Sequence, residues 1–555
     1  MKRTSTNHDI VTRQLYKSVK CVQRNHWKEG LSFLSNHKIE PATFRQTLIT
    51  LIRQDTRLEE AILQAYMDVI TCCTKARGDI DYCRGRRQSD YDPTPIWILP
   101  FIFERLICAP NPDKSDTAES INTLITRRLR MFRSGQIEAL YKESNQVVSR
   151  TPKDNKQNPA KIQRSAQIAA DCDNYRSANI RLTNDMPVAA IDDEKLEVLQ
   201  DLHPESYNLN LHHKQHKTRG STKNRKRLTI SPTALLETFS HLKRGKGSGF
   251  ELDSLDIFIK LASKYRRAKK KSSTTYVNLE TLAIFFTTLA NGDVTPKIKS
   301  ILRTTYLVAL HKDPTNDLKL RPLGIPSAIR RIMAIAVLQM YRGRFAEHLL
   351  PFNYAFGVHG GVDFITTTLR LGIEEYMTKP EARNGLPTRS LVSLDIKNMF
   401  NAISREKARQ IISRDFPELD GFADCLYEDF GRQCLRREDG SWEVIEVQEG
   451  FSQGCPASPI FAALVLTSIL TKINRDLSLD ALTRFNNGNK HDDGQGGKPL
   501  ILGYVDDVNV LLPIEDVEKF FLLLWIRYRP TRKPSITRTR SRPQHRKDTY
   551  HDDNY

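Results

Sequence analysis

The sequence predicts an α+β protein, and two patterns carry this prediction. Apolar residues recur at helical spacing from about residue 9 to 108, for example at Leu58 and Ile62. Short apolar runs typical of buried strands come much later, at 390–394 and 500–512. With 555 residues and 39% hydrophobic content, the chain is long enough for two to four domains with apolar cores.

The amino-terminal part is predicted to be mostly helical, and we assign residues 1–150 to a helical region without a function of its own. Proline-containing breaks at 109–112 and 151–152 frame its last helical stretch. Residues 151–228 are rich in basic and polar side chains, which predicts a basic, partly disordered linker.

Charge and cysteine content restrict the partners and the compartment. The 85 Lys and Arg exceed the 65 Asp and Glu, so the net charge is +20 and the isoelectric point about 9.5. This balance favours a phosphate-rich, salt-sensitive partner such as nucleic acid. The apolar runs are far shorter than the roughly 20 residues of a membrane span, so no membrane partner is expected. Nine scattered cysteines predict a reduced, intracellular protein, in the nucleus or the cytoplasm.

The first candidate functional residue is Asp395, which follows the apolar run at 391–394. Ser404 and Glu406 then mark the start of a helix, so Asp395 is predicted at the carboxyl end of a buried strand. Phe400 lies five positions further along. An aspartate that only caps a strand-to-helix turn is the ordinary alternative for Asp395.

The second candidate is the segment Ser452–Pro459, with the sequence Ser-Gln-Gly-Cys-Pro-Ala-Ser-Pro, which precedes a long apolar run. Gly454 allows close backbone approach, Ser458 is a suitable helix cap, and Pro459 suits a first helical position. The segment is therefore predicted to be a loop leading into a buried helix. Upstream, an Asp-Gly turn at 438–441 predicts a β-hairpin.

The third candidate is the sequence Tyr504-Val505-Asp506-Asp507, which lies between the apolar runs 500–502 and 508–512. Two short strands joined by a tight turn would bring both carboxylates to one exposed bend. An Asp pair at a surface turn is by itself most often only a hydrogen-bonding turn. The three candidates in this order make a functional interpretation stronger.

Taken together, these motifs closely resemble the palm of a reverse transcriptase of the non-LTR retroelement type. The segments 310–326 and 245–253 are similar to the fingers and to the glycine-rich entry segment of that family. The resemblance covers about residues 229–521. It implies a right-hand polymerase fold with fingers at 229–390 and a palm with an antiparallel sheet at 391–525.

The resemblance also implies the chemistry of the site. Asp395, Asp506 and Asp507 are expected to be catalytic and to hold two Mg²⁺ ions, with Asp395 and Asp506 bridging them. Such ions stabilise both the attacking primer oxygen and the leaving pyrophosphate in phosphoryl transfer. The expected partners are an RNA template, a DNA primer and deoxynucleoside triphosphates.

Further residues are expected to bind the substrates. Basic side chains are expected to stabilise charge on the triphosphate, and an aromatic side chain to exclude a 2′-hydroxyl. Solvated surface or ordinary core positions are the alternatives for these residues. The nucleotide-binding candidates are Lys319, Arg321, Phe400, Gln453 and Gly454, with Lys312 as a weaker one; the primer and template candidates are Tyr504, Lys269, Lys270 and Lys271.

After the helix expected at 514–521, the sequence departs from the family. No lysine-bearing palm segment, primer grip or helical thumb is recognisable, and residues 526–555 are predicted to be a basic, disordered tail. The interpretation is a reverse transcriptase truncated after its Tyr-x-Asp-Asp motif. A catalytically inactive nucleic-acid-binding remnant is the main alternative. An RNA-dependent RNA polymerase is disfavoured by Phe400, and an intron-encoded maturase is a neighbouring possibility.

Overall fold

The computed structural model of the protein describes most of the chain after residue 55. The described residues are 56–85, 93–112, 119–146, 163–164, 166–167, 170, 188–205, 226–243, 249, 253–313, 315–375, 389–486 and 499–528. The glycine-rich segment predicted at 245–253, apart from Gly249 and Asp253, lies outside them, as do most of the predicted linker and residues 529–555.

In the described residues before 327, helices precede a single β-hairpin. The elements are α1 (Thr56–Gly85), α2 (Thr94–Cys108), α3 (Ile121–Arg133), α4 (Ile137–Asn145), α5 (Asp193–Asp201), α6 (Pro232–His241), α7 (Leu255–Lys270), α8 (Leu279–Ala290), α9 (Pro296–Arg303), β1 (Thr304–His311) and β2 (Leu320–Pro326). The α+β class is confirmed, and the predicted helical amino-terminal region is confirmed from residue 56 on; its residues 1–55 lie outside the described part of the chain.

The second half mixes helices with five further strands. Its elements are α10 (Ala328–Met340), α11 (Arg342–Leu349), α12 (Gly361–Ile373), β3 (Arg389–Leu394), α13 (Met399–Ala402), α14 (Arg405–Asp415), α15 (Asp420–Tyr427), β4 (Gly431–Arg436), β5 (Trp442–Val447), α16 (Ser458–Asn486), β6 (Leu500–Tyr504), β7 (Asp507–Pro513) and α17 (Val517–Tyr528), with short 3₁₀ turns at Pro417–Leu419 and Ile514–Asp516.

The chain divides into two compact units that interleave along the sequence. Unit 1 comprises residues 1–340 and 405–458, and unit 2 comprises residues 341–404 and 459–555. Neither unit is a continuous stretch of the sequence. The reason is strand pairing over long sequence distances: β4 joins β1 in unit 1, while β7 joins β3 in unit 2.

In unit 1, the amino-terminal helices share an aromatic core with α6, α7 and α8. Tyr66 of α1 packs edge-to-face on Phe103 of α2 and on Phe258 of α7, with ring centroids 5.2 and 5.6 Å apart. Trp97 of α2 stacks on Phe285 of α8 at 5.3 Å. Because such rings bury large apolar areas in defined geometries, these helices form one packed layer.

The sheet of unit 1 has the order β2-β1-β4-β5, in which only the β1–β4 pair is parallel. The predicted hairpin with an Asp-Gly turn is confirmed as β4–β5, and Gly440 has a φ of 89°. Helix α5 packs over the sheet, where Leu199 and Ile191 are buried with Leu307 of β1. The predicted linker thus contains an ordered element that covers the sheet.

Unit 2 contains a fully antiparallel sheet with the order β3-β7-β6. Val508, Val510, Leu511 and Leu512 of the central strand β7 are buried, which is why this strand lies between the other two. The antiparallel sheet expected beneath the aspartates is therefore present.

Helix α17 continues to Tyr528, three residues into the segment predicted to be a disordered tail. Phe520 and Leu524 are buried on one of its faces, and Arg527 forms an ion pair with Asp476 of α16. These contacts explain why the helix outlasts the point at which the sequence becomes basic. Among the described helices, none is both long and apolar enough to cross a membrane.

Candidate functional site

The carboxylates identified from the sequence lie at one end of the unit 2 sheet. Strand β3 runs antiparallel to β7, and its last residue, Leu394, is opposite Val508. Asp395 follows Leu394, and Asp507 precedes Val508, so both aspartates lie immediately beyond this last pair of the β3–β7 ladder. The structure thus places Asp395 and the Asp506–Asp507 turn at the same end of the sheet.

The turn between β6 and β7 is a two-residue hairpin loop. Tyr504 and Asp507 form the last pair of the hairpin, which leaves only Val505 and Asp506 as the connection. Val505 has a φ of 57°, a left-handed conformation that a β-branched residue rarely adopts. Asp395 and Asp507 are exposed, Asp506 is half-buried, and the side chain of Tyr504 is also exposed. A strained turn therefore presents these groups to solvent.

Residues 352–354 support this turn from the side of β6. Gly503 donates its N–H to the carbonyl of Phe352 at 2.8 Å, and Tyr354 donates to the carbonyl of Gly503 at 2.9 Å. A Cβ atom on Gly503 would lie 2.7 Å from the Phe352 oxygen, so only glycine fits. Asn353, which is fully buried, hydrogen-bonds to the backbone of Val505 through its side-chain amide.

The chain leaves β3 through a second left-handed residue. Asn398 has a φ of 55°, and Asn401 donates from its side-chain amide to the Asn398 side-chain oxygen at 2.9 Å. This turn begins the short helix α13, on which Phe400 is only half-buried. The ring of Phe400 is therefore partly accessible to solvent.

The donor chemistry of this sheet end suits a hard divalent cation. Asp395, Asp506 and Asp507 offer carboxylate oxygens, the ligands that Mg²⁺ prefers. In the described part of the chain, no three His, Cys, Asp or Glu side chains are grouped closely enough to hold a metal ion. The donor type thus suits Mg²⁺, whereas the described side chains do not themselves form a ready three-ligand metal site.

The Ser-Gln-Gly loop is held against strand β2 within unit 1. Gly324 of β2 donates its N–H to the carbonyl of Gln453 at 2.9 Å. Gly454 has a φ of 115°, and a Cβ atom there would lie 2.7 Å from the Gly324 oxygen. Helix α16 begins at Ser458, one residue before the predicted first position Pro459. The Ser458 hydroxyl donates to the carbonyl of Ser452 at 2.8 Å, so it ties the loop to the helix and does not act as the predicted cap, which would accept from a helix N–H. The structure therefore joins Gln453 and Gly454 to the strand that carries Arg321.

The hairpin β1–β2 carries the basic candidates. Arg321 is exposed on β2, and Lys319 and Lys312 flank the hairpin loop, also exposed. The ammonium of Lys319 lies 2.7 Å from the Asp313 carboxylate. This hydrogen bond and those from Thr315 hold the pKa of the Asp313 carboxyl well below its usual range. Lys319 is thus paired with Asp313, and its exposed ammonium has further donors for another anion.

The three remaining lysine candidates, Lys269, Lys270 and Lys271, end helix α7. All three side chains are exposed. Positive charge at a helix carboxyl terminus also interacts favourably with the helix dipole, so their position has a structural reason as well.

Sequence reasoning missed two residues that shape the carboxylate turn, Asn353 and Gly503. Gly503 carried a readable signal, because a glycine inside an apolar strand often marks a close backbone approach. Asn353 carried none, since its partner Val505 is 152 positions away.

Comparison with known proteins adds no family to this geometry. No protein-family model matches the chain, and no curated protein matches it.

Proposed function

We propose that the chain is an RNA-directed DNA polymerase that transfers deoxynucleotides to a primer 3′ end. One observation carries this proposal: β3 delivers Asp395 to the same sheet end at which the β6–β7 turn presents Asp506 and Asp507. Carboxylates from two distant chain segments thereby lie at one end of the same sheet, and two-metal phosphoryl transfer uses carboxylates to hold its ions. The resemblance of the motifs to reverse transcriptases supports the same conclusion.

In this proposal, Asp395, Asp506 and Asp507 would hold two Mg²⁺ ions. Such ions, when bound, stabilise the attacking primer oxygen and the leaving pyrophosphate. The carboxylates would hold these ions in place and offset part of their positive charge. Exposure of Asp395 and Asp507 leaves them accessible to a polymer substrate.

The candidates of unit 1 would bind the incoming nucleotide. Lys319 and Arg321 supply positive charge for the triphosphate, where charge develops on the phosphoryl oxygens. Gly454, which lacks a Cβ atom, allows the backbone beside Gln453 to lie close to a base pair. The basic pair Lys319 and Arg321 is connected to the loop residues Gln453 and Gly454 through β2. Gly324, which lies three residues after Arg321, donates its N–H to the carbonyl of Gln453.

Three further contacts complete the proposal. Phe400 would stack below the sugar and exclude a 2′-hydroxyl, which selects deoxynucleotides. Tyr504, exposed at the end of β6, would lie near the primer end. The exposed lysines Lys269, Lys270 and Lys271 would neutralise template phosphates.

The test is primer extension on an RNA template with deoxynucleoside triphosphates and Mg²⁺. The full chain is compared with Asp506→Ala and with Glu518→Ala, a control that removes an exposed carboxylate of α17 in the same unit. We expect incorporation by the full chain and by Glu518→Ala, and a loss of at least about 100-fold in Asp506→Ala. Equal incorporation in all three, or none in the unmodified chain, would refute the proposal.

A second candidate function is nucleic-acid binding without catalysis. The net charge of +20 and the exposed lysine cluster at the end of α7 favour it. Its signature would be template binding that weakens steeply with salt, is equal in the full chain and in Asp506→Ala, and occurs without incorporation. Equilibrium binding to the same primer and template at several salt concentrations distinguishes it from the polymerase.

A further inference from the structure

Asn353 is a fully buried side chain whose amide is bonded to the backbone of the carboxylate turn. Its Nδ2 donates to the carbonyl of Val505 at 3.1 Å. Its Oδ1 accepts from the N–H groups of Val505 at 3.4 Å and of Ala355 at 3.2 Å. The opposite orientation of the amide would set an NH₂ group against two N–H donors, so this network determines the orientation.

These hydrogen bonds are made to Val505, whose side chain disfavours the backbone conformation that it has in the turn. Val505 is β-branched and has a φ of 57°. Outliers of this kind persist only where the surroundings impose them. Asn353 satisfies both the N–H and the carbonyl of Val505. It thus supplies, from outside the hairpin, the pairing that strand residues receive from a neighbouring strand.

The backbone on either side of Asn353 strengthens the same connection. Residues 352 and 354 each bond to Gly503, two positions before Val505. A shift of the 352–354 segment would therefore move β6 and the turn together. Because Asp506 follows Val505 directly, any rotation of the Val505 backbone also redirects Asp506.

We infer that Asn353 is a positioning residue that holds Val505 in its left-handed conformation and thereby sets Asp506 for divalent-cation binding. This inference rests on the proposed function, since it assigns a cation to the same carboxylates. It goes further by naming a residue outside the motifs that acts on the site through the backbone alone.

The first test measures metal binding directly. Mn²⁺ is titrated into the full chain, into Asn353→Ala and into Asp506→Ala, with bound metal followed by electron paramagnetic resonance. We expect Asp506→Ala to lose the site and Asn353→Ala to weaken Mn²⁺ binding by about tenfold or more. In primer extension, kcat of Asn353→Ala should fall by about 10- to 100-fold, while the KM for primer and template is unchanged.

A matched control separates positioning from a general loss of stability. Phe520→Leu shortens a fully buried side chain of α17 in the same unit, and an apolar side chain offers no hydrogen bond that could hold the turn. It should lower the melting temperature without weakening Mn²⁺ binding. If Asn353→Ala and Phe520→Leu affect Mn²⁺ binding equally at equal melting temperature, the inference is overturned.

Two further variants serve if Asn353→Ala does not fold. Asn353→Asp keeps the shape but replaces the donor to the Val505 carbonyl by an oxygen. Protonation restores a donor, so its Mn²⁺ affinity relative to the unmodified chain should recover as pH falls. In a Val505→Gly background, where a left-handed residue is tolerated, Asn353→Ala should weaken Mn²⁺ binding less than it does with Val505. The inference would be contradicted if Asn353→Asp weakened Mn²⁺ binding by the same factor at every pH and if the effects of Val505→Gly and Asn353→Ala on Mn²⁺ binding were additive.

The outcomes also separate the inference from the proposed function. Mn²⁺ binding that depends on Asp506 and Asn353 but is not accompanied by nucleotide incorporation would retain the inference and refute the polymerase. Incorporation that is unaffected by Asn353→Ala would retain the polymerase and refute the inference. A full chain that binds no Mn²⁺ would refute both.

Discussion

Gly324 and Gln453 are joined by a backbone hydrogen bond of 2.9 Å, although they belong to different motifs. Gly324 ends the Arg-Pro-Leu-Gly segment of β2, and Gln453 lies in the loop before α16. At Gly324 a Cβ atom would lie 2.0 Å from the Ser452 hydroxyl, so the contact requires glycine on this side. Together with Gly454, the pair locks the loop to the strand that carries Arg321.

Gly454→Ala should disrupt this contact. The new Cβ would lie 2.7 Å from the Gly324 oxygen, and alanine is disfavoured at a φ of 115°. We expect a loss of about 1 to 3 kcal/mol in the free energy of unfolding and a higher KM for deoxynucleotides. Gly343→Ala is the control, because nothing lies within 4 Å of its Cβ position. Denaturant unfolding and steady-state incorporation check both; a Gly454→Ala protein that matches Gly343→Ala would contradict this reading of the loop.

Lys319→Ala should weaken nucleotide binding more than template binding. Removing this ammonium takes away a charge expected to contact the triphosphate, so the KM for deoxynucleotides should rise by about tenfold. Asp313→Asn should act in the opposite direction, because the carboxylate that now holds Lys319 at 2.7 Å loses its charge. Single-nucleotide incorporation measures both effects, with Lys472→Ala, an exposed lysine of α16, as the control. Equal KM values for Lys319→Ala and Lys472→Ala would remove Lys319 from the site.

Phe400→Ala should relax the choice between deoxynucleotides and ribonucleotides. In the proposed site the phenyl ring occupies the space that a 2′-hydroxyl would need. Its removal should therefore make room for a ribose. We expect the ratio of kcat/KM for deoxynucleotides to that for ribonucleotides to fall by about tenfold or more. Phe521→Ala, which truncates another half-buried phenylalanine of unit 2, should leave the ratio unchanged. An unaltered ratio in Phe400→Ala would also reopen the RNA polymerase alternative.

Glu104→Gln should change the pH dependence of stability. Glu104 is buried, accepts from the N–H and hydroxyl of Ser254 at 3.2 and 2.8 Å, and has a pKa raised to about 8 by burial. The folded state therefore keeps the proton of Glu104 to a higher pH than the unfolded state does. The stability that this difference contributes is complete below pH 4.5 and is lost as the pH rises to 8. Burial of Asp253, whose pKa is raised to about 7, adds a loss in the same direction.

The measurement is the melting temperature from pH 4.5 to 8. Glutamine keeps an acceptor for Ser254 but does not ionise, so the melting temperature of Glu104→Gln should fall less with pH than that of the unmodified chain. Glu280→Gln, at an exposed position of α8, should retain the original slope. Identical slopes in all three proteins would exclude Glu104 as the titrating group.

The local elements were predictable because their signals lie within a few residues. The strand before Asp395, the hairpin at 500–513, the β4–β5 turn and the start of α16 follow from apolar runs and turn residues. The units were less predictable. Their interleaving depends on β1–β4 and β3–β7 pairing, and strand periodicity does not specify which distant strand will be the partner.

The sequence by itself determined the composition, the charge and the position of three carboxylates and their flanking elements. Only the tertiary structure decided that Asp395 and Asp507 lie at the same sheet end, that Gly454 packs on Gly324, and that Asn353 hydrogen-bonds to Val505. The physical reason is the range of the interactions. Helices, turns and caps are set by neighbours in the chain, whereas strand partners and buried side-chain hydrogen bonds are chosen among all segments that the fold brings together.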